Sequence, residues 1–120
     1  MGQFKFVLWL AYWYFESVSF EFEWDRGNSL KSNAKHGISA REVEEVFELK
    51  AAVPLGRQVS PKVSEERLCV VGSTVSSRLV SVVFTFRNGR VRPISARPAS
   101  RKERGLYEEI RKTLERIRQD

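Results

Sequence analysis

Polar and apolar positions alternate through Val18-Ser19-Phe20-Glu21-Phe22-Glu23-Trp24, a period of two that predicts a half-buried strand. Asp25 is placed to cap a following helix over residues 26 to 36, with Leu30 and Ala34 on one face and Gly37 as its C-terminal stop. A second helix follows at once. Ser39-Ala40-Arg41-Glu42 has the Ser-x-x-Glu spacing of a capping box, and Val43, Val46 and Phe47 continue it as an apolar stripe at helical spacing. These two elements make a short helical hairpin. Residues 51 to 65 contain Pro54, Gly56 and Pro61 without periodicity, so they read as a loop or a short irregular strand with no assigned pairing.

The second half reads as an antiparallel meander of Arg67 to Val71, Leu79 to Phe86 and Arg90 to Ala96. Asn88-Gly89 supplies the two positive-φ positions of a type I′ hairpin turn, which pairs Arg87 with Arg90. Continued without interruption, that register sets Thr85 against Arg92, Val83 against Ile94 and Val80 against Arg97. Arg87, Arg90 and Arg92 then share one face and Arg97 takes the other. Pro93 has no amide hydrogen for a ladder, so the strand is expected to be an edge or to bulge there. Ser100-Arg101-Lys102-Glu103 is a second capping box, opening a helix to about Arg118 with Leu106, Ile110, Leu114 and Ile117 in one stripe.

Outside this pattern, Phe4 to Phe15 is nearly all apolar or aromatic, with Lys5 its single charge. It falls short of the roughly 20 apolar residues of a membrane span, and it lacks the basic start and cleavage site of a signal peptide. At 120 residues the chain has room for one domain, which we place at residues 20–120, after an aromatic N-terminal extension over residues 1–19. Cys69, the sole cysteine, excludes an internal disulfide and suits a reducing, cytoplasmic setting as a small core residue. The net charge of +6 is concentrated in one stretch. Between Arg87 and Arg104 seven basic residues face the single acid Glu103, while the rest of the chain balances to zero. Such a block points to a polyanion or an acidic protein partner.

The chemistry open to these residues is narrow. One histidine, one cysteine and no carboxylate cluster at ligand spacing argue against a metal site or any other cofactor. His36 is the only candidate base for a triad, no Gly-x-Ser-x-Gly motif is present, and no phosphate-binding glycine loop occurs. Arginine chemistry remains: guanidinium groups bind phosphate through paired hydrogen bonds and stabilise charge developing on a phosphorane-like transition state.

From about Phe22 to Tyr107 the chain resembles the BrnT toxins of type II toxin–antitoxin systems. The resemblance rests on Phe22-Glu23-Trp24-Asp25, Asn33, Lys35-His36-Gly37, Val46-Phe47, Glu65-Glu66-Arg67, Val71-Gly72, Arg78-Leu79 and Val82-Val83-Phe84-Thr85. Its most specific part is Ile94-Ser95-Ala96-Arg97-Pro98-Ala99-Ser100-Arg101-Lys102-Glu103-Arg104 with Tyr107. It implies a compact α+β, RelE-like fold with two N-terminal helices, an antiparallel sheet of three to four strands and a C-terminal helix. It further implies a metal-independent endoribonuclease that stops translation and leaves a 2′,3′-cyclic phosphate. A BrnA-like antitoxin would neutralise it, with the toxin as a homodimer inside a heterotetramer.

By that similarity the toxicity residues fall among Glu66, Arg67, Arg92, Arg97 and Tyr107. On the catalytic hypothesis Arg92 and Arg97 bind or stabilise the scissile phosphate, and Glu66 or His36 takes the proton of the attacking 2′-hydroxyl. Arg67, Arg87, Arg90, Arg101, Arg104 and Tyr107 would bind RNA. Each has a structural competitor: His36 suits the end of a helix beside Gly37, Glu66 a strand edge, Arg97 a salt bridge, and Arg101 to Arg104 a solvated or antitoxin-facing surface. Uninterrupted pairing opposes the Arg92–Arg97 pair unless a bulge near Pro93 realigns them. Family members begin near Phe20, so synthesis is expected to start at or near Val18. The alternative reading is a non-catalytic nucleic-acid-binding or antitoxin-binding module on the same scaffold.

Overall fold

The computed structural model describes residues 20–29, 36–49, 52–58 and 67–119. The extension over residues 1–19, the stripe residues Leu30 and Ala34, and Glu66 lie outside the described residues. Chain order is α1 (Arg26–Ser29), α2 (Ala40–Glu48), β1 (Val53–Gln58), β2 (Arg67–Ser73), β3 (Leu79–Arg87), β4 (Arg90–Pro98) and α3 (Arg101–Gln119). The four strands form one antiparallel sheet in the order β1-β2-β3-β4.

Both capping boxes form. Ser39 Oγ accepts from Glu42 N at 3.1 Å while Ser39 N donates to Glu42 Oε1 at 3.1 Å, opening α2. Ser100 and Glu103 repeat the arrangement at α3. Asp25 Oδ1 accepts from the amides of Gly27 and Asn28, as the cap of α1 requires. Gly37, at φ +67°, makes the left-handed turn expected of it. Arg78 donates to the carbonyls of His36 and Gly37 and pairs with Glu42, tying this corner to the start of β3.

The main core lies between α2 and one face of the sheet. Val43, Val46 and Phe47 of α2 pack with Val70, Val80, Val82, Phe84, Val91 and Ala96, all essentially inaccessible to water. Phe20, Phe22 and Trp24 pack against the edge of this cluster, with Phe20 and Phe22 touching Phe47 at ring-centroid distances of 5.3 and 5.6 Å. Their alternation was legible, but the segment pairs at a single point, a parallel bridge from Phe22 to Val91. On the other face α3 packs over β1 and β2, with Leu114, Val53 and Val71 buried there. Leu106, expected in the same stripe, is exposed because α3 covers only part of the sheet.

Of the two readings left open for residues 51 to 65, the short irregular strand is found: residues 53–58 are strand β1, paired antiparallel with β2 and irregular between Pro54 and Gly56, and Pro54 is tolerated because β1 is an edge. Two expectations need correction. Cys69 is half-buried on the α3 face of the sheet rather than in the core, with Sγ 3.5 Å from Ser81 Oγ. The second correction concerns the hairpin. Asn88 and Gly89 both have positive φ, and Arg87 pairs with Arg90 and Thr85 with Arg92 as expected. Beyond Pro93 the register shifts: Phe84 pairs with Pro93 but Val83 pairs with Ser95, so Ile94 is an extra residue. Ser81, not Val80, therefore faces Arg97, and Val80 faces Pro98. One inserted residue reverses side-chain parity along the rest of the strand, which brings Arg97 onto the face of Arg92.

Candidate functional site

The bulge gathers Arg87, Arg92 and Arg97 on one face, joined from β2 by Arg67. The Thr85–Arg92 and Ser81–Arg97 rows are four residues apart on β3, roughly 13 Å at ordinary strand rise. They form two distinct centres.

The first centre is a pocket of about 220 Å³ lined by Gly27, Asn28, Arg67, Arg87, Arg92, Pro93 and the bulged Ile94. Arg92 is held there by two carboxylates. Its Nη1 lies 2.9 Å from Glu23 Oε1 and 2.8 Å from Asp25 Oδ2, and only 16% of its side chain is exposed. The hydrogen bond from Arg92 holds the Asp25 carboxyl below the usual carboxylate range, and the same bond raises Arg92. Asn28, 5% exposed, fastens the segment: its Oδ1 accepts from Asp25 N at 2.7 Å, and its Nδ2 donates to Glu23 O and Pro93 O at 3.0 and 2.9 Å. Arg67 differs from its neighbours, for its buried Nε has no acceptor among the described residues. An unmade bond at a buried donor costs roughly 1–3 kcal/mol, which an acceptor reaching this group would recover.

The second centre is built on Arg97. Its Nη1 and Nη2 meet Glu103 Oε1 and Oε2 at 2.7 and 2.9 Å, a two-pronged pair. Ser100 N and the buried Ser81 Oγ also donate to Glu103, at 2.8 and 3.2 Å. Burial pushes the Glu103 carboxyl up, but the bonds from Arg97 and Ser100 outweigh it and hold the group below the usual range. Burial pushes the Cys69 thiol up beside them. This centre pins the first turn of α3 to β3 and β4, and both of its Nη atoms are engaged.

The charge block is therefore partly neutralised from within. The segment beside β4 sets Glu21 against Arg90 at 3.7 Å, Glu23 against Arg87 and Arg92, and Asp25 against Arg92. Arg101, Lys102 and Arg104 on the exposed first turn of α3 carry no ion pair among the described residues, and Tyr107 is half-buried one turn later. His36 is exposed and belongs to the helical layer on the opposite face, so it is not assembled with Arg92 or Arg97. Sequence reasoning missed Glu23, Asp25 and Asn28 as site components. Their signal was present in the acidic positions of the alternating strand, whose partners could not be known before pairing was seen. Among the described residues no group of three or more His, Cys, Asp or Glu side chains is arranged to hold a metal, and no helix is long and apolar enough to cross a membrane.

Residues 24–103 match the model of a family described as the ribonuclease toxin, BrnT, of type II toxin–antitoxin systems. No curated protein matches the chain. Among solved structures, the Brucella abortus ribonuclease toxin BrnT is similar at 24% identity, over 69% of this chain and all of that one, with a TM-score of 0.45.

Proposed function

Since the chain belongs to the BrnT family of ribonuclease toxins of type II toxin–antitoxin systems, we propose that it cleaves RNA without a metal ion, using the Arg67–Arg87–Arg92 pocket to hold the scissile phosphate. The 2′-oxygen attacks the neighbouring phosphorus as its proton passes to a base. The bond to the 5′-oxygen breaks, that oxygen takes up a proton, and a 2′,3′-cyclic phosphate is left. Negative charge grows on the non-bridging oxygens during the attack, and guanidinium groups fixed around them lower its energy. Glu66, the residue before Arg67 in the chain, is the base in this scheme. His36 is set aside because it stands on the far side of the sheet.

The observation that carries this reading is a pocket lined by three arginines, Arg67, Arg87 and Arg92, of which Arg67 also holds a buried Nε–H with no partner among the described residues. Arg97 is assigned a different task, holding α3 so that Arg101 and Arg104 face the RNA backbone beside the pocket, with Tyr107 behind them. Arg90 adds to the field at the hairpin end. The activity belongs in the cytoplasm, where a BrnA-like antitoxin would cap it, the toxin forming a homodimer within a heterotetramer.

Cleavage of end-labelled RNA in the presence of EDTA tests the reading, with Arg67→Ala and Arg92→Ala beside the wild type. Loss of one fixed donor to the developing charge corresponds to roughly 10²–10³ in rate. Cleavage abolished by EDTA, or equal rates in all three proteins, would remove the pocket from the mechanism. Binding without cleavage, weakening steeply with salt through counterion release, would favour the non-catalytic module.

A further inference from the structure

The two carboxylates on Arg92 lie outside the set of residues lining the pocket, and both converge on a single nitrogen, Nη1. Among the described residues Nη2 and Nε make no hydrogen bond, and Nη2 lies toward Gly27 on the pocket side, 4.0 Å from where a Gly27 Cβ would stand. We propose that Glu23 and Asp25 are positioning residues that fix the Arg92 guanidinium by one edge so that its remaining donors present to a phosphate in the pocket. This rests on the assignment of the pocket as the phosphate site.

A lone arginine beside a shallow pocket samples many rotamers and loses that freedom when it binds, whereas one already held has little more to lose. Asp25 cannot drift, because its Oδ1 is committed to the amides of Gly27 and Asn28 while Oδ2 takes Arg92. Glu23 is anchored through its carbonyl by buried Asn28 and through its amide by Val91 O at 2.8 Å. The clamp also costs affinity, since it sets two negative charges beside the place where a phosphate would bind. A purely electrostatic optimum for binding RNA would omit them. Their presence fits a site in which geometry in the transition state outweighs ground-state attraction.

The test uses the full chain with Glu23→Gln, Asp25→Asn and the double variant. Asn at position 25 keeps an oxygen for capping α1, and Gln at 23 keeps the length, so the fold is preserved while the charges leave. Two measurements are made: kcat and KM for RNA cleavage, and side-chain NMR of Arg92 during titration with inorganic phosphate. In the wild type the two Nη groups of Arg92 should be distinct and slow to rotate, and phosphate should shift Nη2 and Nε. In the double variant the Nη signals should average, kcat should fall at least tenfold and KM should stay level or drop.

An unchanged kcat, averaged Nη signals in the wild type, or kcat, KM and melting temperature all worsening together would overturn the proposal. If wild-type protein shows a held Arg92 that responds to phosphate but cleaves no RNA, the positioning stands and the ribonuclease reading of the pocket falls. If RNA is cleaved but phosphate leaves Arg92 unmoved, both the pocket assignment and the positioning role fail.

Discussion

Arg92 and Arg97 stand on the same face of the sheet although five positions separate them, because Ile94 has no partner on β3. Strict alternation would send one of them into the core. The extra residue follows Pro93, whose missing amide hydrogen already weakens the ladder, and Pro93 O is instead bonded to buried Asn28.

Deleting Ile94 tests the bulge. Continuous pairing in the shortened strand keeps Pro93 against Phe84 and Ser95 against Val83, so Ala96 stays buried and Arg97 keeps its face. We expect the deletion variant to retain a cooperative thermal transition by circular dichroism; loss of that transition would show that the bulge does more than set the face of Arg97.

Replacing Arg97 separates its structural task from phosphate binding. Arg97→Ala leaves Glu103 with only its Ser100 and Ser81 bonds, and we expect about 1–2 kcal/mol of lost stability in urea melts. Arg97→Lys should recover only part of it, since an ammonium cannot match both carboxylate oxygens. Cleavage by Arg97→Ala, assayed below its melting temperature, should fall less than cleavage by Arg92→Ala.

Stability should depend on pH through Glu103 and Asp25. Each carboxyl titrates lower in the folded chain than in the unfolded one. Each therefore adds stability that is complete above its unfolded value, about 4.3 for Glu and 3.9 for Asp, and that is lost as pH falls through the lower folded value. Glu103→Gln should be less stable than wild type at pH 7, with the gap closing below about pH 4. A gap that persisted at pH 2–3 would show that the charge of Glu103 contributes nothing.

Gly72 lies tightly against Val46 of α2 and Ala52. A Cβ there would sit 2.8 Å from Val46 Cγ1 and 3.2 Å from the Ala52 backbone. Gly72→Ala should cost about 1–3 kcal/mol by overpacking, read from the urea midpoint. An unchanged midpoint would mean that α2 shifts freely.

How much was legible in the sequence follows from the range of the forces involved. Both capping boxes, the Asp25 cap, the Asn88-Gly89 turn and the Val43-Val46-Phe47 stripe act within a few residues of themselves, so the local chain determined them. The family resemblance was legible too, in the run from Ile94 to Arg104. The pairing of strand β1 was not, because an edge strand interrupted by proline and glycine has no period to read and acquires its register only from β2.

The site divides in the same way. That arginines were the candidates for the chemistry was written in the composition, and the weakness of the ladder at Pro93 was visible as a missing donor. Which face Arg97 takes, which carboxylate each arginine meets and which donor is left unsatisfied were decided by tertiary structure. A single unpaired residue reverses the parity of a strand, and a segment some 70 positions away in the chain supplies Glu23 and Asp25 to Arg92. No local pattern encodes that meeting, because it exists only once the Phe22 segment has packed beside β4.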